Sequence, residues 1–244
     1  MGSVGVLTNS VMVCAPLMAE SVEQMVIDMH SAKAQGADVV EVRLDCINEF
    51  QPSQDLETII RNKPLPVIIV YRPKWEGGQY EGDEHRRLEA LRLANDLGAD
   101  YIDLELKNVH EFTDSMDGKK PDKFKVIVSS HNFHNTPTAN AIADLVTRIQ
   151  ATGADMVKIS TTALDIKDYG KHFSGYGTFS TASSAATSVM EHLRPVLYQL
   201  LTIYCGGFGA VLLVDLTLNS ATRGKVASKV PGQSIPRQNL ICGI

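Results

Sequence analysis

Six short runs of continuous apolar residues recur along the first two thirds of the chain, roughly 25 to 35 residues apart. This recurrence restricts the fold more than any other feature. Strands without polar alternation are buried on both faces. Strand–helix repetition lets such strands lie parallel, with the helices outside. The runs are VMVCA (11–15), ADVVEVRLD (37–45), VIIVYR (67–72), ADYIDLEL (99–106), KVIVSSH (125–131) and ADMVKIS (154–160). Between them a helix begins near Ser21, with apolar Val22, Met25, Val26 and Met29, and stops at Gly36. Pro64 and Pro66 bracket the entry to the third run. EHRRLEALRLANDLG is a helix ended by Gly98, and a further helix runs from about Thr138 to Ala151 and stops at Gly153.

Eight strand–helix units need about 250 residues, the usual size of a (β/α)8 barrel. The 244 residues therefore fit one such barrel as a single domain spanning 1–244. An open doubly wound sheet ordinarily carries a glycine-rich turn after its first strand, and APLMAES has none. From about Ser174 the pattern becomes atypical, so the last two units are expected to be irregular or incomplete. SGYGTFSTASSAATS is a loop composition, MEHLRPVLYQLLTIY reads as a helix kinked at Pro195, and the tail SKVPGQSIPRQ is turn-like. The uncharged stretch 195–214, PVLYQLLTIYCGGFGAVLLV, has the length of a membrane span. Pro195, Gln199 and three glycines interrupt it. It reads instead as a buried helix end, a glycine turn and a buried strand.

A net charge of -5 argues against a general nucleic-acid binder, and 44% hydrophobic residues exclude a disordered chain. Cys14, Cys46, Cys205 and Cys242 form no CxxC pair, which excludes zinc ribbons and thioredoxin-type motifs and suits a reducing compartment. MGSVGVLTNS shows neither a secretory signal nor a transit peptide, and Val6 breaks the myristoylation pattern. The expected location is the cytoplasm or the plastid stroma, with no membrane partner.

In a barrel of this kind reactive groups sit at the C-terminal ends of strands. Lys158 lies within an apolar strand. Pointing outward it would snorkel between helices. Pointing inward, among apolar and cationic neighbours, it would hold a fraction of free amine able to attack a carbonyl. His131 closes the fifth strand, where an imidazole suits proton transfer. His134, three residues on, makes a His-x-x-His pair without a third metal ligand in view. Glu41 and Arg43 are two apart on a strand and share a face, either as a structural ion pair or as binding groups. Asp103 and Glu105 repeat that arrangement. Arg72 ends the third strand, and Glu76 follows in a loop beside Gly77 and Gly78. CGGFGAV precedes a strand rather than opening a helix, so it is a poor phosphate cradle.

Taken together, VEVRLD, YRPKWEGGQYEGDEHRRLEALRLANDLGADYIDLELK, KVIVSSHNFHNTP and GADMVKISTTALDI resemble the type I 3-dehydroquinate dehydratase family over about residues 11–173. The form is closest to the plant domain usually fused to shikimate dehydrogenase. The resemblance implies a (β/α)8 TIM barrel that dehydrates 3-dehydroquinate to 3-dehydroshikimate in the shikimate pathway, with no cofactor and no metal. It implies Lys158 as the Schiff-base lysine, His131 as general acid/base and Glu76 as the carboxylate that orients and charges that histidine. It assigns Glu41, Arg43 and Arg72 to substrate hydroxyls and pocket lining, and Gln233, in VPGQ, to a loop after the last strand. The family's strand-seven arginine has only Arg223, in SATRGK, as a counterpart, and Lys229 stands where the family has a serine, with Ser228 one place off. The expected partner is the small-molecule substrate, and a homodimer is left open. Two other readings stand beside it. One is a class I aldolase-like lyase on the same barrel. The other is a catalytically impaired homologue that binds a ligand or partner.

Overall fold

The computed structural model describes residues 12–114, 125–162, 164 and 168, and the backbone of 201–206 and 209–213. Six strands pair in chain order, all parallel: β1 (Met12–Leu17), β2 (Val39–Arg43), β3 (Val67–Val70), β4 (Tyr101–Glu105), β5 (Lys125–Asn132) and β6 (Met156–Thr161). Helices α1 (Val22–Ala34), α2 (Pro52–Arg61), α3 (Glu84–Asp96), α4 (Val109–Asp114) and α5 (Ala139–Gln150) fill the five intervals. Their ends follow local chemistry. The Ser21 hydroxyl accepts the Gln24 amide at 3.2 Å, the Asp83 carboxylate accepts the Arg86 amide at 2.9 Å, and the Thr138 hydroxyl accepts the Ala141 amide at 3.3 Å. Each satisfies an amide that the first helical turn leaves without a partner. The stops at Gly36, Gly98 and Gly153 fall where the backbone has positive φ. Helix α2 begins with Pro52 at its first turn and buries Leu56, Ile59 and Ile60, one helical stripe.

The ring closes through β7 (Leu201–Gly206) and β8 (Gly209–Leu213). Strand β7 is antiparallel to β6 and to β8, and β8 is parallel to β1. A regular barrel runs all eight strands one way, so the irregularity expected at the end of the chain takes the form of a reversed strand. The helix read through Tyr204 is corrected here: Leu201–Gly206 is strand. β-Branched and aromatic Thr202, Ile203 and Tyr204 favour the extended form, and pairing with β6 and β8 satisfies their backbone on both sides. Among the described residues, no helix is long and apolar enough to cross a membrane.

Strand alternation sorts the side chains into two apolar layers. Ala15, Val40, Val42, Val67, Ile69, Ile102, Leu104, Val128, Val157 and Ile159 face the helices, where they pack with residues such as Met25, Met29, Ile59, Leu91 and Ile149. Each large side chain so buried contributes roughly 1.5–3 kcal/mol. A smaller cluster of Cys14, Val39, Ile68, Val70 and Ile127, joined by Tyr101 and Met156, comes from the opposite strand faces and plugs the barrel interior.

Candidate active site

The charged layer stands one pleat repeat above that plug. Two residues beyond Val39, Val70, Tyr101, Ile127 and Met156 come Glu41, Arg72, Asp103, Ser129 and Lys158. Residues two apart on a strand share a face and are separated by about 6.6 Å. Period-two geometry therefore turns five apolar plug positions into five polar positions nearer the C-terminal mouth.

Lys158 points inward, with its side chain 3% exposed. Its Nζ donates to Glu41 Oε2 and to Asp103 Oδ2, each at 2.8 Å. The sequence reading gave it apolar and cationic neighbours. The geometry corrects that, since the nearest polar groups are two carboxylates, which an ammonium satisfies. Asp103 Oδ1 accepts the Ser129 hydroxyl at 2.6 Å and lies 2.7 Å from Arg72 Nη2. Arg72 Nη1 donates to Glu105 Oε1 at 2.6 Å and to Ser129 Oγ at 2.8 Å. Glu105 Oε2 in turn accepts from Arg87 Nη2 at 2.7 Å, and Arg87 Nη1 donates to the Tyr71 carbonyl at 2.6 Å. Lys158, Arg72 and Arg87 thus balance Glu41, Asp103 and Glu105. Buried ions are tolerated when paired and hydrogen-bonded in this way. Burial pushes the Asp103 carboxyl up, but the Arg72 and Lys158 cations outweigh it and hold it well below the usual carboxylate range. Cys14 lies close by, its thiol pushed well up by burial and by Glu41.

Glu41 and Arg43 share a face as expected, yet the ion pair weighed for them is not the main contact of either. Arg43 grips Asp45 through two hydrogen bonds, at 2.9 and 2.7 Å, while Glu41 meets Lys158. Asp45 also accepts the amides of Arg72 at 3.1 Å and Gln79 at 3.0 Å. It pins the segment after β3 to the segment after β2.

That segment delivers Glu76. The 3₁₀ turn Lys74–Glu76 ends on Gly77, whose φ of +79° is left-handed. A Cβ on Gly77 would collide with the Phe133 ring, and one on Gly78 with the Arg72 carbonyl. The two glycines let the loop close against the mouth. Glu76 Oε1 accepts the backbone amide of His131 at 2.9 Å, while the ring Nδ1 is 3.8 Å away. The carboxylate is thus hydrogen-bonded to the His131 backbone and stands within ion-pair reach of its ring. Burial, with the Arg72 and Lys158 cations, pushes His131 well below its ordinary value. Burial likewise pushes Glu76 up to about 7. Both shifts favour the uncharged form of the group concerned. His131 Nδ1 and Glu76 Oε2 are buried without a hydrogen-bond partner among the described residues. His131 lies two residues beyond Ser129 and therefore shares the inner face with Lys158, whose register partner is Ser129.

Among the described residues, no group of three or more His, Cys, Asp and Glu side chains is placed to hold a metal ion. Arg223 and Gln233 lie outside the described residues. Sequence reasoning gave no role to Ser129, Asp45 or Arg87. Ser129 was recoverable from strand parity with His131. Arg87 was recoverable from its place with Leu91 and Ala94 on the buried stripe of α3.

The charged layer lies at the C-terminal mouth of a βα barrel, the end where enzymes of that architecture carry their active sites. The type I 3-dehydroquinase family model matches residues 13–175, and the chain belongs to that family. It is 48% identical to the bifunctional 3-dehydroquinate dehydratase/shikimate dehydrogenase, chloroplastic, of Arabidopsis thaliana, over 95% of this chain and 36% of that protein. The chain thus spans about a third of that plant enzyme's length, and the similarity reaches well past residue 175. It is 34% identical to the 3-dehydroquinate dehydratase of Methanococcus vannielii, over 64% of this chain and 70% of that one. The solved 3-dehydroquinate dehydratase of Enterococcus faecalis shares the fold with a TM-score of 0.60, at 19% identity, over 73% of this chain and 79% of that one.

Proposed function

We propose that the chain dehydrates 3-dehydroquinate to 3-dehydroshikimate through an imine on Lys158. The observation that carries this reading is the buried Lys158 amine, held by two carboxylates on the inner face that also presents His131, whose uncharged form burial favours. The amine nitrogen attacks the C3 carbonyl, and water leaves to give an iminium. The iminium withdraws electrons from the C2–H bond. His131 takes the C2 proton, the freed pair forms the C1–C2 double bond, and the C1–O bond breaks. His131 returns the proton to the departing hydroxyl as water, and hydrolysis of the product imine restores Lys158. A neutral imidazole suits the first of these transfers. Arg43 and Glu41 contact substrate hydroxyls in this scheme, Arg72 lines the floor, and Arg223 and Gln233 are assigned to the substrate's carboxylate and to the loop above it. The plant relative's chloroplastic name supports the plastid stroma as the location.

The test is enone absorbance on dehydroquinate, with borohydride reduction and mass analysis of the protein. Turnover and an adduct on Lys158 are expected, both abolished in Lys158→Ala. Folded protein that yields no adduct overturns the imine.

A further inference from the structure

Asp45 occupies the 3₁₀ turn Leu44–Cys46 that follows β2, and its side chain is fully buried. Its two oxygens are used alike. Oδ1 accepts Arg43 Nε at 2.9 Å and the Arg72 amide at 3.1 Å, and Oδ2 accepts Arg43 Nη2 at 2.7 Å and the Gln79 amide at 3.0 Å. Each oxygen thus holds one guanidinium N–H and one backbone N–H. Arg43 pairs with Val70 in the β2–β3 register, so Asp45 stands beside Arg72 two residues on, where the strand ladder has ended. Its side chain takes up the amide that a continuing strand would have bonded. Burial pushes the Asp45 carboxyl up, but Arg43 and the two amides outweigh it and hold it below its ordinary value. The Arg72 and Gln79 amides flank the stretch that carries Glu76. That stretch also closes on itself, with the Tyr80 amide donating to the Arg72 carbonyl at 3.1 Å and the Lys74 amide to the Tyr80 carbonyl at 2.9 Å. Tying both flanks to one carboxylate fixes the height of the loop over the mouth, from which Glu76 reaches the His131 amide.

Resting on the dehydratase reading above, we infer that Asp45 is a positioning residue that sets two parts of the site together: the guanidinium of Arg43, and the loop that holds Glu76 against His131. Asparagine cannot replace it. An amide side chain has one oxygen and one NH2 group. Whichever way it turns, the NH2 faces one guanidinium N–H and one backbone N–H, donor against donor. A change at Arg43 alone acts on substrate binding. A change at Asp45 acts on binding and, through the loop, on proton transfer at His131.

The experiment combines steady-state kinetics on 3-dehydroquinate across pH with amide hydrogen exchange on the same proteins. Asp45→Asn is expected to lower kcat/KM about 100-fold, the cost of an ångström-scale misplacement, with KM raised, kcat reduced and the pH–rate profile displaced. Arg43→Lys keeps the cation and loses the fork. It should raise KM about tenfold while leaving kcat and the profile close to those of the wild type. In Asp45→Asn/Arg43→Lys the loss of kcat and the displaced profile should persist. Asp45→Glu keeps the charge and carries it one methylene further. Arg43, Arg72, Lys158, Asp103 and Glu105, the charges that act on Glu76 and His131, are unaltered in it, so a displaced profile there reports position. Amides of residues 72–80 should exchange about tenfold faster in both Asp45 variants, with β4 to β6 unchanged. Circular dichroism checks folding, and if Asp45→Asn does not fold, Asp45→Glu decides by the same readouts. Wild-type exchange over residues 72–80, or an Asp45 defect confined to KM like that of Arg43→Lys, overturns the inference. Wild-type protein without turnover overturns the dehydratase reading, a separate result, and the exchange data then decide the role of Asp45.

Discussion

Replacing Lys158 by methionine should destabilise the protein by about 3–5 kcal/mol at pH 8, the range for a buried pair broken from one side. The geometry gives the same scale. Glu41 Oε2 and Asp103 Oδ2 each lie 2.8 Å from Nζ, so they are at most 5.6 Å apart, twice that distance. Two like charges at that separation repel by about 3 kcal/mol at an effective dielectric of 20. For a chain of this size the melting temperature should fall by about 10 °C. Arg72 still restrains Asp103, so Glu41 is the carboxyl that the repulsion pushes up in the variant. A carboxyl raised in the folded state contributes stability below its unfolded pKa and loses it as pH rises through the folded one. The deficit should therefore shrink at pH 5, and Lys158→Met/Glu41→Gln should regain most of the loss at pH 8. Thermal and urea unfolding at both pH values measure this. A Lys158→Met protein as stable as the wild type at pH 8, or a deficit indifferent to pH, refutes the account of Lys158 as the cation that holds the layer together.

Further outcomes follow from the same geometry. Glu76, raised from 4.5 to about 7 by burial, contributes stability that is complete below its unfolded pKa and lost as pH climbs toward 7. Glu76→Gln should remove that slope, gaining up to about 3 kcal/mol on the wild type between pH 4.5 and 7; parallel urea-unfolding curves of stability against pH would count against it. Arg87→Met leaves Glu105 and the Tyr71 carbonyl short of a donor and should cost about 3–5 kcal/mol by urea unfolding. A loss under 1 kcal/mol, roughly a surface effect, would show that Arg87 is not structural. Gly77→Ala forces a left-handed alanine against Phe133. It should lose about 1–2 kcal/mol from backbone strain alone. It should also shift the pH–rate profile through Glu76 and His131, and an unchanged melt and profile would refute the loop's role.

Most of the wall was legible because its signals are local. Continuous apolar runs, Ser21 and Thr138 as caps, and the glycine stops each act over a few residues, and β1 to β6 fall where the periodicity puts them. Parity along β2 and β4 was equally readable, so Glu41 was placed on one face with Arg43 and Asp103 on one face with Glu105, while the end of β5 put His131 at the mouth. Partners were not readable. Whether Glu41 meets Arg43 or Lys158 depends on strands 117 residues apart in sequence. Whether Glu76 charges the His131 ring or holds its amide depends on about an ångström of loop position, set by Gly77 and Gly78 packing on Phe133 and Arg72. The reversed β7 escaped because a glycine-flanked apolar run of six residues suits a helix end or a strand equally well.

Glu41, Arg72, Asp103, Ser129, His131 and Lys158 all come from five neighbouring staves of the barrel, β2 through β6, or from the residues just beyond them. The proton-handling machinery is thus gathered along one arc of the circumference. Strand β7 borders that arc directly, with Tyr204 in register with Lys158, and runs antiparallel to β6. The reversed strand is thus the seam at which the closing part of the ring meets the lysine, and a change made there reaches Lys158 through a shared backbone ladder.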